Sequence, residues 1–141
     1  MTSRSARVAC DRPFYALYAH AYDELITDPV EPWVDAVDRR LKGVGLDRAR
    51  ILDAGCGTGR HARALMDRGH MLTLMDASPA LLRIAVCRCP GAEVLLGDIC
   101  DRDRTGEFDA VVCRGVLNDL TEDDQWRKLE LVARVARRFW T

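Results

Sequence analysis

The chain has 141 residues, 48% of them hydrophobic, with 21 basic against 22 acidic side chains and a formal charge of −1. That length suits one domain rather than two, and it is long enough to bury a core without disulfide staples. The balanced charge argues against a strongly electropositive polyanion binder, and the mixed 30% of charged residues argues against disorder.

The N-terminus, Met1 to Asp11, has Arg4 and Arg7 but no apolar core of the kind a secretory signal needs. No uncharged apolar run approaches the roughly 18–20 residues of a membrane span. These features predict a cytoplasmic protein with reduced thiols. Its six cysteines, Cys10, Cys56, Cys87, Cys89, Cys100 and Cys113, include only one close pair. Without a second pair they read as ordinary small residues rather than zinc ligands, so no metal site is expected.

In chain order, Trp33, Val37 and Leu41 recur every four residues and predict an amphipathic helix, which exits through Lys42 to Asp47. Short apolar runs at Ile51–Ala54, Met71–Met75, Val94–Leu96 and Ala110–Cys113 read as four buried strands. Ser78 followed by Pro79 has the form of an N-cap and first turn, opening a helix through Leu81, Ile84 and Ala85. Thr121 with Asp124 resembles a capping box before a last helix through Leu129, Val132 and Ala136. The alternation predicts an α/β fold with a parallel sheet. Residues 127–141 hold five basic groups and one acid, and read as a solvated helix face with cations near its C-terminus rather than a nucleic-acid contact.

The chemistry concentrates in Ile51-Leu-Asp-Ala-Gly-Cys-Gly-Thr-Gly-Arg60. Three glycines at alternate positions follow a strand and open a helix. Such a loop lets a ligand lie against the backbone, where helix N-terminal N–H groups can receive an anion. Asp76 ends the second strand, placed to accept hydrogen bonds from ribose hydroxyls. Asp98 ends the third, placed to accept from an exocyclic amine beside the Ile99 N–H. Loop and acids on successive strands indicate a nucleoside site. The spacing departs from the dinucleotide fingerprint, because the third glycine comes one residue early, and no Lys-Ser/Thr follows as a P-loop requires.

These residues resemble the class I S-adenosylmethionine-dependent methyltransferases. Asp53-x-Gly55-x-Gly57-x-Gly59 is similar to the family's glycine-rich motif, Asp76-Ala77-Ser78 to its ribose-binding step, and Gly97-Asp98-Ile99 to its adenine-binding step. Phe108 to Leu120 looks like the fourth strand and following loop. Tyr18-Ala-His-Ala-Tyr-Asp23 looks like the segment that covers the cofactor. The likeness spans about residues 14–130.

The resemblance implies a Rossmann-like three-layer α/β/α fold with strand order 3-2-1-4. Residues 1–46 would form an N-terminal helical cap and 47–141 a cofactor-binding half. It implies S-adenosyl-L-methionine as cofactor, held by Asp53, Gly55, Cys56, Gly57, Gly59, Asp76, Ala77, Asp98, Ile99 and the backbone around Cys113 and Arg114. His20, Tyr15, Tyr22, Asn118 and Asp119 would form a rim able to touch an acceptor, with no catalytic base assigned. The implied reaction is methyl transfer to an unidentified small-molecule acceptor. A truncated, non-catalytic S-adenosylmethionine-binding or interaction module is the alternative, and a nicotinamide-dependent oxidoreductase is a more remote one. Family members have seven strands, so four imply a C-terminally shortened member whose open fourth-strand edge invites self-association.

Overall fold

The computed structural model describes residues 15–98 and 106–114. A 3-10 turn, Ala19–Ala21, leads into the short α1, Tyr22–Leu25, and then α2, Glu31–Gly43. Strand β1, Arg50–Ala54, is followed by α3, Arg60–Asp67, β2, Met71–Asp76, and α4, Pro79–Arg88. Strands β3, Glu93–Leu96, and β4, Ala110–Val112, complete a four-stranded sheet in the order β3-β2-β1-β4. Every pairing is parallel, so each neighbouring pair must be joined by a crossover. The predicted order and all four predicted strands are present, with boundaries shifted by one residue at most.

Alternation along the strands sorts the core into two faces. Ile51, Leu72, Leu74 and Val112 pack with Val34 and Leu41 of α2, Ala62 and Leu65 of α3, and Leu82 and Ala85 of α4. Leu52, Ala54, Met75, Leu95 and Phe108 form a separate cluster on the opposite face. The described helices α2, α3 and α4 thus share one face of the sheet. The expected last helix lies outside the described residues, as do Ile99, Asn118, Asp119 and the basic 127–141 stretch.

Local signals act where they were expected. Ser78 Oγ accepts from Leu81 N at 3.1 Å with Pro79 at the first helical position, which caps α4. Helix α2 exits through Leu46 N to Leu41 O at 2.9 Å and Gly45 N to Lys42 O at 3.0 Å, a Schellman closure. The buried His70 ties the layers together. Its Nδ1 accepts from Ala49 N at 3.1 Å, which leaves Nε2–H to donate to Asp38 Oδ1 at 3.0 Å. Asp109 accepts from Arg50 N at 2.8 Å and from its guanidinium at 3.0 Å, holding the start of β4 against β1.

Candidate functional site

The chain leaves β1 through Gly55, Cys56, Gly57, Thr58 and Gly59 and enters α3 at Arg60. All three loop glycines have positive φ, at 78°, 57° and 80°. Gly55 N and Cys56 N both donate to Met75 O, at 2.7 and 3.0 Å, which ties the loop to the end of β2. The glycines then diverge in role. A Cβ on Gly57 would come within 3.9 Å of the Tyr22 ring and nothing nearer. A Cβ on Gly59 would meet Cys89 Sγ at 3.1 Å and Ala85 Cβ at 3.2 Å. Gly57 therefore meets only ordinary contact with Tyr22, whereas Gly59 allows the loop to pack directly on α4. Gly59, expected among the cofactor-binding glycines, faces the protein, while Gly57 has space for a ligand beside Tyr22.

Two carboxylates near this loop feel each other's charge. Asp76 Oδ2 accepts from Gly57 N and Oδ1 from Ser78 N, both at 2.9 Å, so it links the β2 end to the loop. Asp53, the fourth residue of β1, is only 5% exposed. Burial, and then the charge of Asp76, push its pKa up to about 7. Removing a carboxylate from water disfavours its ionised form, and a like charge nearby adds to that cost. Burial first, and then the charges of Asp53 and Asp76, likewise push the Cys56 thiol well up. The Cys56 sulfur is thus held as a thiol and is no nucleophile at neutral pH.

The segment preceding α2 is fastened across the loop. Thr58 Oγ1 donates to Asp23 Oδ1 at 2.5 Å, and Arg88 Nη2 donates to Asp23 Oδ2 at 2.6 Å. Arg88 Nη1 also donates to Thr58 O at 2.9 Å, and the Arg60 guanidinium donates to Ile26 O at 2.6 Å and Asp28 O at 3.0 Å. Burial opposes ionisation of Asp23, but the hydrogen bonds from Arg88 and Thr58 outweigh it and hold the pKa below its usual value. Ser78 Oγ, besides capping α4, donates to Tyr15 O.

A cavity of about 130 Å³ opens between loop, segment, α2 and the end of β4. Asp53, Gly55, Cys56, Gly57 and Arg114, all predicted site residues, line it together with Tyr22 and Trp33. Gly59, Asp76, Ala77 and Asp98 are not in its wall, and Ile99 lies outside the described residues. His20, the histidine expected at the rim, is exposed and does not line the cavity. His61 does, unanticipated by the sequence reading. Burial, and then the charges of Arg114 and Arg60, push its pKa down to about 4, so its imidazole is neutral at physiological pH. Asp23, Thr58, Arg60 and Arg88 were also missed. Thr58 and Arg60 stood within the quoted loop, His61 just after it and Asp23 at the end of the Tyr18–Asp23 segment, but nothing local showed that they would pair. The hydrogen bonds among Asp23, Thr58 and Arg88 join residues 30 to 65 positions apart. Among the described residues no group of three or more His, Cys, Asp or Glu is placed to hold a metal, and no helix is long and apolar enough to cross a membrane.

A family model for the methyltransferase domain matches residues 51–138. A protein of Geobacillus sp. (strain WCH70), provisionally named a methyltransferase, is 32% identical over 121 residues, covering 81% of this chain and 49% of that protein. The chain thus spans about half the length of this curated relative. Among solved structures, an amino pentose methyltransferase from Micromonospora echinaspora, with S-adenosylmethionine bound, is similar at a TM-score of 0.63 and 30% identity. That likeness covers 77% of this chain and 46% of the other. Magnesium protoporphyrin IX methyltransferase from Synechocystis PCC 6803, also with S-adenosylmethionine bound, gives a TM-score of 0.71 at 19% identity, a likeness of fold alone. It covers 96% of this chain and 74% of that one.

Proposed function

The chain belongs to the methyltransferase-domain family, and from that premise we propose that it binds S-adenosylmethionine at the glycine loop and directs its methyl group to a small-molecule acceptor. S-adenosylmethionine is the family's cofactor, bound in both similar structures. The observation that carries the reading is the buried Asp53 carboxylate in the cavity wall, beside Asp76 and under a loop whose Gly57 leaves room above it. A buried carboxylate is costly without a compensating charge. The sulfonium and ammonium groups of the cofactor supply one, so the residues present fit it.

The cavity is smaller than the roughly 300–1,000 Å³ usual for a whole ligand. Its size suits the amino-acid end, with Asp53, Gly55, Cys56, Gly57 and the Cys113–Arg114 backbone as the groups that would hold it. The nucleoside would continue along the strand ends, with Asp76 and Ala77 at the ribose and Asp98 with Ile99 at the adenine. Gly59 supports the loop by packing. When bound, the cofactor supplies a methyl group on a positively charged sulfur, activated for in-line displacement. The task left to the chain is binding, orientation and exclusion of water. Cys56 is held as a thiol and His61 has its acceptor nitrogen engaged by Arg114, so neither serves as a base at neutral pH. Acceptors that present a ready nucleophile fit such a site best.

Isothermal titration tests the reading. S-adenosylhomocysteine is expected to bind and NAD not to bind, and Asp76→Ala to weaken S-adenosylhomocysteine at least tenfold. Unchanged affinity in that variant would refute the ribose assignment. Turnover with a panel of small amines and hydroxyl compounds then separates a transferase from a binding module.

A further inference from the structure

Two guanidinium groups reach the cavity wall, and they differ in how they are engaged. That of Arg60 is committed to the carbonyl oxygens of Ile26 and Asp28. That of Arg114 stands exposed just beyond β4, where its Nη1 donates to His61 Nε2 at 2.5 Å. Its central carbon lies 5.9 Å from the Trp33 ring centroid, and Trp33 meets His61 edge-to-face at 5.2 Å between centroids. No described carboxylate pairs with Arg114. The neutral His61 accepts from the guanidinium and adds no charge of its own. Arg114 is therefore held in place by a ring face and one acceptor, neither of which neutralises it.

A guanidinium has five donors in a planar fork that matches a carboxylate, and it keeps its charge at every physiological pH. Trp33 holds the fork from one side and His61 takes one arm, which leaves further donors for a ligand. Among the described residues the arrangement orients a cation at the cavity with no carboxylate to neutralise it. Resting on the functional reading above, we propose that Arg114, positioned by His61 and Trp33, forms a carboxylate-binding subsite in the cavity wall. A carboxylate at this place has two sources, the methyl acceptor or the amino-acid end of the cofactor, and they are experimentally separable.

Wild-type protein, Arg114→Gln and Arg114→Lys are titrated with S-adenosylhomocysteine and with its analogue lacking only the carboxylate. If the cofactor is the source, Arg114→Gln weakens S-adenosylhomocysteine about tenfold and leaves the analogue unchanged. If the acceptor is the source, S-adenosylhomocysteine binds both proteins equally. Benzoate, a planar carboxylate able to stack on Trp33, then binds the S-adenosylhomocysteine-saturated wild type but not Arg114→Gln, and Arg114→Lys is intermediate. In either case His61→Phe, which removes the acceptor nitrogen and keeps an aromatic ring, weakens the responding carboxylate and leaves the decarboxylated analogue unchanged. Failure of wild-type protein to bind S-adenosylhomocysteine overturns the functional reading and this proposal with it. Binding of S-adenosylhomocysteine that is indifferent to Arg114→Gln, with no Arg114-dependent benzoate binding, overturns the proposal alone.

Discussion

At neutral pH the Asp53 carboxyl stands near half-ionised, because burial and then the neighbouring Asp76 charge push its pKa up to about 7 from an ordinary 3.8. The folded chain therefore holds a proton on this group over a pH range in which the unfolded chain releases it. The stability tied to that proton is fully present below about pH 4 and is lost as pH rises through about 7. Asp53→Asn removes the dependence. The variant should be more stable than wild type by roughly 2–4 kcal/mol at pH 8, with the gap closing toward pH 4, in denaturant titrations at several pH values. A gap that is flat with pH would show that Asp53 ionises normally. His61 has the opposite sign, since its pKa of about 4 lies below the ordinary 6.5, so its contribution is lost as pH falls. It is common to both proteins and cancels in their difference. Asp53 stood out in the sequence because it precedes the glycine pattern, and Asp76 because it ends the second strand. Their mutual repulsion did not, since it depends on adjacent strands bringing the two carboxylates together.

The turn from β1 into α3 is where one missing side chain decides the packing. Gly59 has φ 80° and lies against Ala85 and Cys89 of α4, with Cys89 Sγ donating to Gly59 O at 3.4 Å. Gly59→Ala combines a left-handed backbone cost of about 1–2 kcal/mol with overpacking of about 1–3 kcal/mol. Its unfolding free energy should fall by roughly 2–5 kcal/mol. Gly57→Ala meets only the backbone cost, since its Cβ would be 3.9 Å from Tyr22, yet it should weaken S-adenosylhomocysteine more than Gly59→Ala does. Thermal melts and titrations of the pair check this, and the opposite ranking would reverse the two roles. The glycine spacing was plain in the sequence, but two glycines of identical pattern differ only through what packs on them. The α4 cap was equally plain in Ser78-Pro79, whereas the second bond of that hydroxyl, to the Tyr15 carbonyl, spans 63 positions.

Across the whole molecule, residues 15–28 are joined to the sheet by polar contacts more than by apolar burial. Leu17, Tyr18, Leu25 and Ile26 are exposed, while Asp23, Thr58, Arg88 and Arg60 supply the connections. Charge-assisted hydrogen bonds in partly exposed positions are worth little singly, so one break in this network should free the segment locally and leave the core folded. Arg88→Ala is expected to speed hydrogen exchange and proteolysis within residues 15–28 by about tenfold, with the amides of β1 and β2 unchanged. Equal loss of protection in the strands would make Arg88 a determinant of global stability instead. Because the pKa of Asp23 is lowered, its share of this anchoring is present above about pH 4 and is lost as pH falls through the lowered value.

The strand order was implied by the family resemblance, while the amino-acid sequence by itself determined the four strands, the α4 cap, the glycine loop, Asp53 before it and Asp76 at the end of β2. Each of these is a local pattern of periodicity, spacing or residue type, and the parallel topology follows from alternating strands and helices. Tertiary structure decided what those patterns could not contain. It turned Gly59 toward α4, drew Asp53 and Asp76 together, closed Asp23 onto Arg88, and set Arg114 against His61 and Trp33. All four depend on residues distant in the chain, and their energies come from burial and from charges brought near one another only by folding. The length that suits a single domain proves to span about half of curated relatives that match most of this chain, a relation visible only by comparison.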